Sequence, residues 1–274
     1  MTDFRTIDVG GRERVTPASQ PAPQLQWVKI ADLVIDGRYQ RPLGEANWIA
    51  IRRIAQAFRW SRFGPVLVAP VEGGQYALID GQHRAHAAAL CGFEAVPAMI
   101  AMVAPEEQAL AFIEINTRQI RVHRLAVYRA ALLAGEDWAI RCRDAVEAAG
   151  CQLMTSNRST KDKKPGQVFA VSLIRRLVDG GGAAAVINGL AALLEYDPEA
   201  VANFSDVLLT PWLTAVAQVP RDVPDLVRVL HSRRPWLVIE AANRLAKADG
   251  IPAATARRNM FTMLIRKGGL PDAV

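Results

Sequence analysis

The stretch Tyr76-Ala-Leu-Ile-Asp-Gly-Gln-His-Arg-Ala-His-Ala-Ala-Ala-Leu90 sets Asp80, Gly81, Gln82, His83 and Arg84 in the joint between an apolar run and an Ala-rich one. The first run reads as a buried strand and the second as a helix. A helix start leaves backbone N–H groups without partners and carries about half a positive charge, and a glycine there lets an anion approach the backbone. Arg84 stands one turn in, where its guanidinium fork matches phosphate oxygens bidentately, and Gln82 and His83 add donors beside it. Asp80 can cap the helix, hold Arg84, or serve as a candidate catalytic carboxylate. The same residues also make an ordinary capped helix with a solvated polar turn, and the joint alone does not separate the two readings. His83 and His86, at i and i+3 with Asp80 nearby, have a spacing that can share a metal, but no fourth ligand accompanies them.

The elements that must position this joint follow from periodicity. Residues 1–24, rich in Pro, Gly, Ser and charge, read as a flexible N-terminal arm, with order beginning near Trp27. Ile51, Ile54, Ala55 and Phe58 form a helical stripe within 45–58, and Gly64-Pro65 introduces a strand at 66–68. The turn Glu72–Gln75 makes a hairpin with the strand at 76–79, and a third strand follows at 96–100. Three or four strands are expected within 27–103, in a nucleotide-binding domain spanning 25–103. From Pro105 the pattern is helical, with windows near 105–114, 123–134, 138–149, 168–178, 183–195, 206–217, 223–231, 236–248 and 253–266. Residues 104–274 are therefore expected to form an all-α domain with no sheet strand. Trp48, Trp60, Trp138, Trp212 and Trp236 fall at helical apolar positions and read as mostly core.

Composition limits the partners. The 274 residues are 51% hydrophobic and 22% charged, which excludes general disorder. Thirty-three Lys and Arg against 27 Asp and Glu give +6 and a pI near 9.5, suited to an anionic partner. Cys91, Cys142 and Cys151 lack CxxC spacing and read as reduced thiols, not as a disulfide framework or a zinc ribbon. Without a leader-type apolar segment or an apolar run of about 18 residues, the expected setting is cytoplasmic, with no membrane partner.

Three stretches in order resemble the boxes of the ParB/sulfiredoxin-like superfamily, and specifically its DGQHR-type branch, to which the phosphorothioation regulator DndB also belongs. Ile79-Asp-Gly-Gln-His-Arg-Ala-His-Ala87 resembles the GERRxRA box, with Gly81, Arg84 and Ala87 matching. Gly64-Pro65-Val66 resembles the QPI box. Ile115-Asn-Thr-Arg-Gln119 stands where ParB proteins have ENxQR, and the match runs on to Leu125. The resemblance implies an α+β fold, a small mixed-sheet N-terminal domain followed by helices. It implies a nucleoside triphosphate, CTP or ATP, with Mg: phosphates held by Gly81, Gln82, His83 and Arg84, Pro65 and Val66 lining the site, and Asn116 near the metal. Ile115 replaces the family's acidic residue, the Gln and Arg of the third box are exchanged as Arg118 and Gln119, and Glu114 is the neighbouring carboxylate. Gln82 stands where sulfiredoxins carry a catalytic Cys, which argues against peroxiredoxin repair.

Two basic stretches invite DNA. The loop 156–166 carries Arg158, Lys161, Lys163 and Lys164, and the last helical window carries Arg257, Arg258, Arg266 and Lys267. Leu245 to Asn259 mimics a helix-turn-helix, with Ala246 and Gly250 suitably spaced, although Asn259 falls where that motif needs an apolar residue. A helical hairpin with a solvated basic face accounts for the same residues. The reading is a ParB-like nucleotide-binding protein that associates with DNA, of plasmid, phage or mobile-element type, possible as a homodimer. Its alternatives are a ParB-fold enzyme (ATPase, nickase, nuclease or small-molecule kinase) and a partner-binding regulator with a vestigial pocket.

Overall fold

The computed structural model describes residues 5–40, 42–118 and 122–269. The chain divides into two compact units, 1–120 and 121–274. Residues 5–23 are exposed and carry no helix or strand. Gln119, part of the third box, lies outside the described residues.

In the first unit a five-stranded mixed sheet runs β1 (Gln24–Lys29), β5 (Ala95–Ile100), β3 (Val66–Pro70), β4 (Tyr76–Asp80), β2 (Leu33–Val34). β3 and β4 are the expected hairpin, antiparallel with a register shift between Leu67 and Val68. β5 lies parallel to β3 and antiparallel to β1. Five strands replace the expected three or four. β2 is too short to show a period, and β1, Gln-Leu-Gln-Trp-Val-Lys, buries only Val28 at the sheet edge, so neither advertises a core strand.

Alternation along the strands sends one set of side chains to each face. Val28, Val66, Val68, Leu78, Val96, Ala98 and Ile100 form one core with Ala85 and Ala88 of α2 (Gln82–Leu90). Leu67, Ala69 and Ile79 form the other, against Ala111, Phe112 and Ile115 of α3 (Pro105–Thr117). α3, expected at the start of the helical domain, closes a face of the sheet and falls in the first unit, 1–120. The helical stripe at 45–58 forms α1 (Glu45–Gln56), which packs beside α2.

The second unit is mostly helical: α4 (Arg124–Leu133), α5 (Asp137–Glu147), α6 (Val171–Asp179), α7 (Ala183–Tyr196), α8 (Asp206–Gln218), α9 (Val223–Ser232), α10 (Pro235–Asp249) and α11 (Ala253–Lys267). The expectation of no strand here is wrong. β6 (Gln152–Leu153) pairs in parallel with β7 (Gln167–Val168), a two-residue contact that closes the basic loop and leaves no periodic trace. Trp212 is fully buried at the centre, its indole N–H donating to the Gly189 carbonyl at 2.8 Å. Trp60, expected as core, is 42% exposed, with Trp27 at 62%. Trp60 instead joins Phe58, Phe63, Phe93 and Trp27 in an aromatic group at the surface.

Candidate functional site

β4 delivers Asp80 to the end of the sheet, and the chain turns into α2 through Gly81, whose φ of 101° only glycine adopts without strain. A Cβ there would stand 2.7 Å from Val66 Cγ1 and 2.9 Å from Arg84 Nη2. Gly81 therefore serves both the turn and the close seating of Arg84 over β3. Among the described residues no side chain caps α2, so the N–H groups of its first turn have no side-chain acceptor there. Asp80 holds Arg84 rather than capping the helix: its Oδ2 accepts from Arg84 Nη2 at 2.9 Å. The same Nη2 reaches the Pro65 carbonyl at 3.4 Å, while the buried Arg84 Nε has no acceptor among the described residues.

These residues open on a pocket of about 370 Å³ lined by Asp80, Gly81, Gln82, His83, Arg84 and Asn116, together with Gln40, Leu43, Asn47, Ile54, Ile79 and Phe112. The joint and Asn116 of the third box thus line one pocket. Pro65 and Val66 do not line the pocket. Val66 is fully buried behind Gly81, and Pro65 contributes only its carbonyl to Arg84, because the strand's own alternation turns Val66 into the core.

Gln40 and Asn47 are site residues that the sequence reading missed. Gln40 is buried, and its side-chain amide donates to the Leu78 carbonyl, which ties the segment before α1 to β4. Asn47 Oδ1 accepts from the Gly44 N–H at 3.1 Å, which leaves its amide nitrogen to donate to His83 Nε2 at 3.0 Å. That order of donors puts the neutral His83 proton on Nδ1. The only sequence signal for Asn47 was its place three residues into a helix that Gly44 starts.

Asn116 Nδ2 donates to the Phe112 carbonyl at 2.7 Å, leaving its amide oxygen as the group for a cation. Glu114 pairs with Arg118 at 2.9 Å and does not line the pocket. Asn116 and Asp80 offer oxygens of the kind Mg accepts, though Asp80 is already engaged with Arg84. His86 does not join His83 on a shared metal position. Its Nδ1 hydrogen-bonds the Gln82 carbonyl at 2.7 Å, and its ring stands edge-on to Trp48 at 5.7 Å. Among the described residues no group of three His, Cys, Asp or Glu is placed to hold a metal.

In the second unit the basic candidates form two separate sets. Arg158, Lys161 and Lys164 are exposed on the β6–β7 loop, and Lys163 lies over the Phe169 ring at 4.7 Å. On α11, Arg257 donates to Asn243 at 2.8 Å and Arg258 to Asn259, both half-buried, while Arg266 and Lys267 are exposed beside a hollow with Gln218 and Asn259. α10 and α11 do form two helices across a short turn, packed through Ala242, Ala246 and Ala256. No described helix is long and apolar enough to cross a membrane.

Residues 22–116 match the family model of the ParB N-terminal domain, a span that contains every residue lining the pocket. No curated protein matches the chain. Among solved structures, the C-terminally truncated chromosome-partitioning protein ParB from Caulobacter crescentus, complexed with CTP-gamma-S, is 16% identical with a TM-score of 0.38 over 74% of this chain and 97% of that one. The same protein complexed to the centromeric parS site is 14% identical, TM-score 0.30, over 88% and 99%. A pNOB8-like ParB-N domain is 14% identical, TM-score 0.28, over 90% and 96%.

Proposed function

We propose that the first unit binds a nucleoside triphosphate, CTP or ATP, in the pocket at the β4–α2 joint, and that the chain works as a ParB-like, DGQHR-type protein that associates with DNA. The observation that carries the nucleotide is the uncapped start of α2 with Arg84 held over it. Gly81 gives a phosphate room to reach the backbone N–H groups, and Asp80 and Pro65 orient a guanidinium that still has free donors. His83, fixed by Asn47, supplies a further donor, and the Asn116 amide oxygen is the pocket's group for a magnesium ion brought in with the phosphates. DNA association rests on the exposed cations Arg158, Lys161, Lys164, Arg266 and Lys267, with Lys163, Arg257 and Arg258 behind them. These would give attraction to phosphate backbones that is indifferent to sequence and falls with salt. Origin on a plasmid, phage or other mobile element and assembly as a homodimer belong to the same proposal.

A partner-binding regulator with a vestigial pocket is the second reading. It is favoured by one observation: the carboxylate next to Asn116, Glu114, is turned away to Arg118. Calorimetric titration of CTP, ATP, GTP and UTP with magnesium, followed by product analysis, separates the readings. Binding of one nucleotide without turnover is expected. Turnover would move the chain to an enzyme, with Asp80 as its candidate base, and no binding would leave the vestigial reading. Anisotropy of a labelled duplex across a salt series tests DNA, and the expected affinity falls steeply with salt.

A further inference from the structure

The first unit carries a second depression, of about 290 Å³, that adjoins the DGQHR pocket by sharing Ile54 and Arg84. Arg53 enters it from the last turn of α1, Arg59 and Arg62 from the segment leading to β3, and Phe58 and Phe63 contribute its apolar part. Among the described residues no carboxylate lines it. Among the described residues the side chains of Arg53, Arg59 and Arg62 have neither a hydrogen bond nor an ion pair. Other exposed arginines, Arg52, Arg124 and Arg158 among them, are unpaired as well among the described residues; what sets Arg53, Arg59 and Arg62 apart is that they share one hollow. The hollow gathers four guanidiniums, and the one ion pair among them, Arg84 with Asp80, has its carboxylate on the lining of the neighbouring pocket.

We propose that this basin is a phosphate-binding site of its own, joined to the DGQHR pocket through Arg84. Guanidinium groups are weakly hydrated and present paired donors that fit phosphate oxygens, so three of them left unpaired around one concavity suit a phosphate group better than a chloride or a single carboxylate. An anion there also offsets the mutual repulsion of the arginines. The phosphate has two sources, a free polyphosphate chain or the backbone of a nucleic-acid strand. The site stands whether or not the neighbouring pocket takes a nucleotide.

The test uses the full chain with two probes, sodium triphosphate and a labelled oligothymidylate of about 20 nucleotides. The variants are Arg59→Gln/Arg62→Gln and, separately, Arg53→Gln, with Arg52→Gln as an exposed arginine of α1 outside the basin. Circular dichroism confirms the fold of each. The double variant is expected to lose about tenfold or more in affinity for at least one probe, since each charged hydrogen bond is worth a large factor. If the strand is the source, its log–log salt slope falls by about 0.7 per arginine removed. Arg53→Gln alone shows a smaller loss, and Arg52→Gln changes little. Loss confined to triphosphate assigns a free polyphosphate, and loss for the oligonucleotide assigns a strand. Failure of the wild-type chain to bind either probe overturns the proposal. So does a loss in the double variant no larger than twice that in Arg52→Gln, which would report net charge alone. Retained CTP or ATP binding by the double variant, with Arg84→Ala defective, shows that the two sites are separable.

Discussion

Arg84 is held at two points, by Asp80 and by the Pro65 carbonyl, and this restraint is what makes it useful to a phosphate. Arg84→Ala removes a charge-assisted contact of about 1.5–3 kcal/mol, so nucleotide affinity measured by calorimetry should fall about ten- to a hundredfold while the thermal midpoint changes little. Gly81→Ala should be worse for folding. Its methyl group would collide with Val66 and Arg84, and φ 101° costs an alanine about 1–3 kcal/mol, so both stability in urea and nucleotide affinity should drop together. An unchanged urea midpoint in that variant would show that the turn can relax. The chemistry of this joint was legible in sequence because its parts are neighbours in the chain. Gln40, Asn47 and Phe112 were not, since Asn47 meets His83 across 36 residues and Gln40 meets Leu78 across 38, distances that only packing closes.

Helices announce themselves through a period of 3.6, and the windows from α3 to α11 stand within a few residues of where that period puts them. Two-residue strands have no period to read, which is why β2, β6 and β7 were missed, and an edge strand with one buried side chain escaped for the same reason. The fit of one helix on another is also invisible in a pattern. α7 and α8 approach so closely at Gly189 that a Cβ would lie 2.6 Å from Leu213 Cδ2, with the Trp212 indole bonded to the Gly189 carbonyl. Gly189→Ala should therefore destabilise the second unit by about 1–3 kcal/mol despite alanine's better helix propensity, read as a shift of the urea midpoint. A stabilised variant would mean that Leu213 repacks without strain. Thiol chemistry tests burial along the helices in another way. Burial pushes the thiols of Cys142 and Cys151 up to about 11, whereas Cys91 is exposed, so a neutral thiol reagent should modify Cys91 first in the native protein and the other two only on unfolding.

At the scale of the whole chain, the hydrophobic cores of the two units share no residue, so calorimetry should resolve two transitions. A nucleotide should raise the transition of the first unit. Alkali should lower that of the second, which holds Cys142, Cys151 and Tyr128, the last pushed by burial to about 12. The two thiols keep their protons in the folded state after the unfolded chain has begun to lose them near pH 9, and Tyr128 follows from about pH 10. Stability is therefore intact below about pH 9 and falls as pH rises toward 11. A second-unit transition that stayed unchanged up to pH 11 would overturn this, whereas some change in the first unit is expected from Tyr39, whose hydroxyl burial also pushes up. The sheet has a different kind of consequence. Its first strand pairs with its last, Gln24 against Ile100, so the edge of the β-sheet joins segments some seventy residues apart in the chain. On the ribosome, β1 must wait for β5 to emerge, and Val28 stays without its neighbours Val96 and Ala98 until then. A nascent chain can carry the whole DGQHR turn well before it has a finished sheet to support it, and ligand capture during synthesis should begin only after α3, with Phe112 and Asn116, clears the exit tunnel.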